Sequence, residues 1–454
     1  MYKKLTIILI YTLFLSACNL LEKNSPNDLD AATAIKDGAS AEAALLGLYS
    51  SMQRDAYYGG SFPLLTEPLC NNASTGGFQV ISLTQLGDKE VTPSNLIVEE
   101  TWIAIYRTIA NCNFLLEALT NITDLDPDRA KSIEGQTRAL RALAHFDVLR
   151  TFGEHWDTNS KFGIPIISRV QTIEDQPVRA SVSDSYNFII EELKAAASMA
   201  DPNDASAQYL NIHAINAILA RAYLYKKENG PAAQLATKVI DSQIYTLLNK
   251  ENYSSLFFDR RSSESIFELS FDNQNRSAFN GLTYSRDEAL RTEIFYLAAT
   301  DLDAFFQTRP GDVRATLLNF SPDNNDATIL PDGRTQKYRG EDRKDSPAYI
   351  VRLAEMYLIR AEANGLAAGL EDLNLLRVQR GLQEALITDA NLFNEAILAE
   401  RRAEFNFEGL YLNDLARWGQ FEAVTGKAAY KQILPIPTRE IIASGGKIEQ
   451  NPGY

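Results

Sequence analysis

Arg352-Leu353-Ala354-Glu355-Met356-Tyr357-Leu358-Ile359-Arg360-Ala361-Glu362-Ala363 is the stretch from which the fold can be read. With Ile350 in front of it, the residues Ile350, Leu353, Ala354, Tyr357, Leu358 and Ala361 recur at the spacing of one helix face. The same period returns at Ala139, Ala142, Leu143, Phe146 and Leu149, and again at Ala214, Ala217, Ile218, Ala222 and Tyr225. Further helices are expected near 31–54, 94–121, 182–199, 232–241, 370–379, 391–406 and 411–422. Several stripes alternate alanine with large side chains, which lets neighbouring helices approach closely. Residues 212–227 and 231–241, joined through Asn229-Gly230-Pro231, read as a hairpin of tetratricopeptide-like size, and 94–121 with 128–152 as another. No strict repeat of about 34 residues is visible, so any repeats are degenerate. The expected class is mostly α: a helical repeat scaffold beside a loop-rich lobe.

The lobe is expected from two segments with little helical periodicity, 55–93 and 245–348. The first holds Gly59, Gly60, Gly76 and Gly77 among Tyr57, Tyr58, Phe62 and Phe78. The second holds Phe257, Phe258, Phe267, Phe271, Phe279, Tyr284, Phe295, Tyr296, Phe305, Phe306, Phe320 and Tyr338. Loops of this length in a compact fold carry function or minor structure of their own. Most of their rings are expected in packing, and a minority on flat ligand faces.

The start of the chain sets the compartment. Lys3 and Lys4 precede an apolar run, Leu5 to Leu15, that is too short to span a bilayer. Leu15-Ser16-Ala17-Cys18 then reads as a lipobox, with Cys18 as the lipid-attachment residue. Residues 1–17 are thus expected to be a lipoprotein signal peptide and 18–30 a polar linker to the lipid. Residues 31–454 would be the folded domain, its scaffold at about 31–54, 94–244 and 349–454. Acyl chains anchor strongly, at about 0.8 kcal/mol per buried methylene.

Composition excludes several classes. Lys plus Arg number 44 against 59 for Asp plus Glu, and the net charge of −15 leaves no nucleic-acid footprint. Three dispersed histidines, His145, His155 and His213, make no His-rich metal site, and three cysteines make no zinc module or disulfide scaffold. Cys70 and Cys112 read as unpaired buried thiols, with a disulfide the lesser alternative. The chain has no P-loop, no G-x-G-x-x-G and no G-x-S-x-G. His145 lies beside an apolar stripe and reads as structural. Glu400, Glu404 and Glu408, at i, i+4 and i+8 near Arg401, Arg402 and Arg417, read as an ion-pair network. Asp323-Asn324-Asn325-Asp326 lacks the glycine and the terminal glutamate of a calcium loop. Two facing carboxylates would suffice for a glycosidase, and 59 acids leave that class open.

The last third adds an ordered set of motifs. After the stretch quoted first come Leu373-Asn374-Leu375-Leu376-Arg377, Glu400-Arg401-Arg402 and Phe407-Glu408-Gly409. Asp414-Leu415-Ala416-Arg417-Trp418-Gly419, Leu434-Pro435-Ile436-Pro437 and Gln450-Asn451-Pro452-Gly453-Tyr454 follow. Upstream lie Arg141-Ala142-Leu143-Ala144-His145-Phe146-Asp147, Arg150-Thr151-Phe152-Gly153, Gly163-Ile164-Pro165 and Ser265-Ile266-Phe267-Glu268-Leu269. Taken in this order, the set resembles the SusD/RagB family of nutrient-binding outer-membrane lipoproteins.

That resemblance implies four tetratricopeptide-like helix pairs packed on a loop-rich lobe. It implies a cell-surface position as a lid on a SusC-like, TonB-dependent transporter, and capture of glycans or, in some members, peptides. It implies a binding protein rather than an enzyme. The sequence itself gives no reason to expect a cofactor and no metal-ligand set, and leaves a calcium ion open. Arg352, Glu355, Glu362, Glu400, Arg401, Glu408, Asp414, Arg417 and Trp418 fall in its motifs and are expected to hold the scaffold. Only Glu22 follows the lipid cysteine closely as an acid, and the only tryptophans are Trp102, Trp156 and Trp418, with Trp102 and Trp418 expected in the core. No motif fixes the ligand site. The loop residues best suited to stack on or hydrogen-bond a sugar are Tyr57, Tyr58, Asn71, Asn72, Phe78, Asn280, Tyr284, Arg286 and Tyr296. A peptide-binding member of the same family and a lipid-tethered glycoside hydrolase are the alternatives.

Overall fold

A computed structural model describes residues 34–75, 80–172, 174–201, 206–283, 295–318, 333–338 and 345–454. Its scaffold helices start where the sequence supplies caps. Helix α1 (Gly38–Met52) opens on a reciprocal box in which Asp37 accepts from the Ser40 backbone and Ser40 accepts from that of Asp37. Helix α2 (Leu96–Leu119) is capped by Asn95, whose side chain also donates to Ser82 O. Helix α3 (Pro127–Phe152) has Asp126 as its cap and a proline in its first turn, where the missing N–H costs nothing. Helices α4 (Val182–Met199), α5 (Ile212–Tyr225) and α6 (Asn229–Asp241) follow, then α7 (Leu353–Asn364), α8 (Leu366–Gln379), α9 (Ala390–Phe405) and α10 (Tyr411–Arg417).

From α1 to α8 each of these helices packs on the next, with α9 closing against α7 and α8. The two expected hairpins are α2–α3 and α5–α6. Ala139, Ala142, Ala144, Ala214, Ala217, Ala220 and Ala222 are all fully buried, so the small side chains sit at the close approaches between helices. No helix among the described residues is long and apolar enough to cross a membrane.

Two boundaries differ from the sequence reading. Ile350 belongs to a strand, not to the α7 stripe. Residues Ala348–Arg352 form β4, pair antiparallel with β2 (Ser265–Leu269), and are buried throughout. The β-branched pair Ile350-Val351 suits a strand buried on both faces, and a short apolar run reads alike in either state. The helix expected over 411–422 is two pieces, α10 and a short helix at Phe421–Thr425, parted by Gly419 at φ 64°.

The lobe is held by a second strand pair. Strand β1 (Ala73–Thr75) runs antiparallel to β3 (Tyr296–Ala298), with Ala73 opposite Ala298 and Thr75 opposite Tyr296. It thereby ties the 55–93 segment to the 245–348 segment. Beneath the lobe, buried charges meet on α9. Glu404 pairs with Arg314 at 3.0 Å, Arg352 at 2.8 Å and Arg380 at 3.0 Å. Glu400 takes Arg309 and Arg314, while Glu408 takes Arg352 and Lys337. A neighbouring group links Arg221 to Glu355, Arg401 to Asp414, and Arg417 to Glu362 and Asp414. Cys70 and Cys112 are both buried and unpaired.

Candidate functional site

A cavity of about 600 Å³ opens where β1, β3 and their flanking turns meet. That volume lies within the roughly 300–1,000 Å³ of small-molecule sites. Its wall is built from Asn71, Ala73, Ser74 and Thr75 on one side, Leu297 to Asp301 on another, and Gly87, Asp88 and Lys89 on a third. The lining is thus one amide, three hydroxyls (Ser74, Thr75, Thr300), two carboxylates and one ammonium, set among backbone edges.

Local folding explains how each is presented. Asn71 adopts the left-handed conformation at φ 60°, which asparagine tolerates better than most residues, and this turns the chain from the short helix Pro68–Cys70 into β1. Its Nδ2 donates to Val424 O at 3.0 Å and reaches Asp301 Oδ1 at 3.4 Å. Lys89 ends the helix Ile81–Asp88, also left-handed at φ 59°. Burial draws its ammonium below the ordinary lysine range, with the Cys70 thiol, Asp301 and Asp88 acting the other way. Asp301 lies in the first turn of the helix Thr300–Gln307, where a carboxylate is favoured by the helix dipole.

Of the described residues expected at a ligand surface, only Asn71 lines this cavity. Asn72 is buried beside it, its Nδ2 donating to Glu67 Oε2 and its Oδ1 accepting from Arg402 Nε at 3.0 Å. Tyr57 and Tyr58 do not line the cavity. Both are buried in a ring cluster with Phe62, and Tyr57 Oη donates to Asp147 Oδ2 at 2.6 Å. Tyr296 is buried in β3, and Asn280 is buried in the short helix Phe279–Thr283. A loop ring reads the same in sequence whether it packs inward or stands free, and these pack inward because the lobe has a core of its own. Cys18, Phe78, Tyr284 and Arg286 lie outside the described residues. Ser74, Thr75, Asp88, Lys89, Thr300 and Asp301 were not anticipated, and no local pattern marks them. The β1–β3 pairing assembles them from positions more than two hundred residues apart.

A second cavity, of about 560 Å³, adjoins the first. Phe305, Tyr411 and Trp418 line it with Asn391, Asn394, Glu395 and Gln420. Trp418 is therefore not wholly a core residue: it is half-buried, one part packed on the scaffold and another on this cavity. Arg402 separates the two cavities. Its guanidinium lies 4.9 Å from the Phe305 ring centre and 5.4 Å from that of Tyr411, and its Nη2 donates to Asn71 O at 3.0 Å.

None of the three histidines lines either cavity. His145 is a structural residue. Its Nε2 accepts from the Ile167 N–H at 3.1 Å, which leaves Nδ1–H to donate to Arg141 O at 2.8 Å. Among the described residues no group of three or more His, Cys, Asp or Glu side chains is placed to hold a metal ion.

Comparison with known proteins adds to this geometry. A family model described as "Starch-binding associating with outer membrane" matches residues 20–224, and one described as "SusD family" matches residues 319–433. SusD-like protein P2 of Formosa agariphila is 23% identical over 100% of this chain and 99% of its own. A SusD superfamily protein from Bacteroides thetaiotaomicron superposes with a TM-score of 0.81 at 24% identity, covering 91% of this chain and 99% of that one. A solved protein named as a laminarin-binding SusD-like protein superposes with a TM-score of 0.78 at 23% identity, covering 92% of this chain and 100% of that one.

Proposed function

Since this chain belongs to the SusD/RagB family, we propose that it captures neutral oligo- or polysaccharide at the outer surface of the outer membrane and hands it to a SusC-like, TonB-dependent transporter. Cys18 carries the lipid anchor in this reading, and residues 18–30 form the tether. The protein binds its glycan without cleaving it. The observation that carries the proposal is the cavity floored by β1 and β3, where Asn71, Ser74, Thr75, Asp88, Lys89, Thr300 and Asp301 crowd hydrogen-bonding groups of both senses into one space. A sugar offers hydroxyls that each donate and accept, so such a lining can satisfy several at once. An apolar metabolite would leave these groups unpaired, at a cost of about 1–3 kcal/mol for each one desolvated. Hand-over to a transporter also requires release, which suits a shallow site of modest affinity.

Native electrophoresis of the mature protein through gels carrying starch, laminarin and other polysaccharides tests the proposal, with analysis of released sugars in each lane. Retardation by a glycan without released sugar is the expected result. Asp301→Ala should weaken that retardation by about ten- to a hundredfold in affinity, the loss of one charged hydrogen bond worth on the order of 1.5–3 kcal/mol. Released sugars would replace the binding reading with a glycoside hydrolase. Mobility unchanged in every gel would remove the polysaccharide and move the assignment to a peptide ligand.

A further inference from the structure

We infer that the second cavity, between Phe305 and Trp418, is a separate sugar-unit subsite, so that the protein engages a chain over consecutive units and not a single ring. The inference rests on the glycan reading above and adds a length requirement to it.

Three observations carry it. First, the two cavities share one helix face. Asp301 lines the first cavity and Phe305 the second, and they stand at i and i+4 on the helix Thr300–Gln307. Four residues climb about 6 Å, close to the span of one pyranose unit. Second, the linings divide the work. The first cavity sets its polar side chains among Ala73, Leu297, Ala298 and Ala299 and holds no aromatic ring, whereas the second adds the half-buried rings of Phe305 and Trp418, which a pyranose face can cover. Third, the polar groups around those rings are uncommitted. The side chains of Asn391, Asn394 and Glu395 make no hydrogen bond among the described residues, yet they project from one face of α9 into the cavity. Arg402 also lines the second cavity, at its border with the first. It is already held between two rings and by Asn71 and Asn72, so it forms a fixed partition that sets the spacing of the subsites.

The test titrates the mature full-length protein by calorimetry with two ladders of neutral probes, malto- and laminari-oligosaccharides, each from the monosaccharide upward. Asn394→Trp places an indole in the second cavity from an exposed helix position, and Glu395→Ala removes a polar partner there without adding bulk. Circular dichroism checks that both variants are folded. The parent should gain affinity with chain length in at least one ladder. Asn394→Trp should lose that gain, about tenfold for the longer members, while the shortest bound member is unaffected. Glu395→Ala should lose part of it, and Asp301→Ala should weaken every member alike. Asn394→Trp and Glu395→Ala matching the parent at all lengths would overturn the subsite and leave the glycan function standing. A parent that binds no member of either ladder would also overturn the subsite, while the polysaccharide gels decide the glycan function separately.

Discussion

Glu67 sits in the interior, with Oε2 accepting from Asn72 Nδ2 at 2.9 Å and Oε1 from the Gly409 N–H at 2.9 Å. Burial outweighs those donors and the nearby Lys337, and pushes its carboxyl up to about 7. The folded state therefore holds a proton that the unfolded chain has released. Stability from this group is full below about 4.5, declines as pH rises toward 7, and is then lost, on the order of 3 kcal/mol in all. His145 and His155 work the other way. Burial holds both near 3, so each favours the folded state above the ordinary histidine value of 6.5 and loses that contribution on acidification. Where the windows overlap, between about 4.5 and 6.5, two histidines outweigh one carboxylate, at about 1.4 kcal/mol per pH unit each. From these three groups stability should peak near neutrality. Glu67→Gln imitates the protonated acid. Urea melts of parent and variant should diverge as pH rises from about 5 to 8, in favour of the variant; curves that stay parallel would remove Glu67 from the account.

At the scale of elements, glycine shows which contacts are tight. In α8 a Cβ on Gly369 would lie 2.1 Å from the carbonyl oxygen of Ala361 on α7, and backbone cannot give way. Gly47, exposed within α1, would meet nothing within 4 Å. Alanine is the better helix former by about 1 kcal/mol at either position. Gly47→Ala should therefore stabilise by up to about 1 kcal/mol, while Gly369→Ala should destabilise by about 2 kcal/mol or more as α7 and α8 are forced apart. Denaturation midpoints of the two variants moving the same way would sink the prediction. The same scale shows why the helices were legible and the strands were not. The stripes through Ala139–Leu149 and Ala214–Tyr225 repeat over several turns, so the period alone identifies α3 and α5. Strand β4 is five residues long and directly abuts α7, and its state is decided by β2, some eighty residues earlier. Strands β1 and β3 are shorter still, which is why the cavity they floor had no signature in the sequence.

Across the whole molecule, one buried charge network fastens the lobe to the scaffold. Arg309, Arg314, Lys337, Arg352 and Arg380 meet Glu264, Asp312, Glu400, Glu404 and Glu408, drawn from the loop segments, both strands of the β2–β4 pair or their borders, the end of α8, and α9 with its exit. The spacing of Glu400, Glu404 and Glu408 revealed the acidic half, since they share a helix periodicity; most of the cations come from elsewhere in the chain, and only folding brings them in. An ion pair in such a place is not in itself stabilising, because desolvation offsets the attraction. Breaking it is another matter. Glu404→Gln keeps shape and volume but leaves three buried guanidiniums without a carboxylate they share. The expected loss is about 3–5 kcal/mol, against little or none for Glu449→Gln at the exposed Lys161–Glu449 pair. Ionic strength should separate the two further, since salt screens surface pairs far more than buried ones. Location supplies the sharper test. Because Glu404 ties Arg314 and Arg352 to α9, hydrogen exchange in Glu404→Gln should rise in residues 313–318 and 348–352 before it rises in α3 or α5. Uniform acceleration across the chain would mean that the network adds stability without fastening the lobe in particular, whereas a local rise places the joint between lobe and scaffold at Glu404.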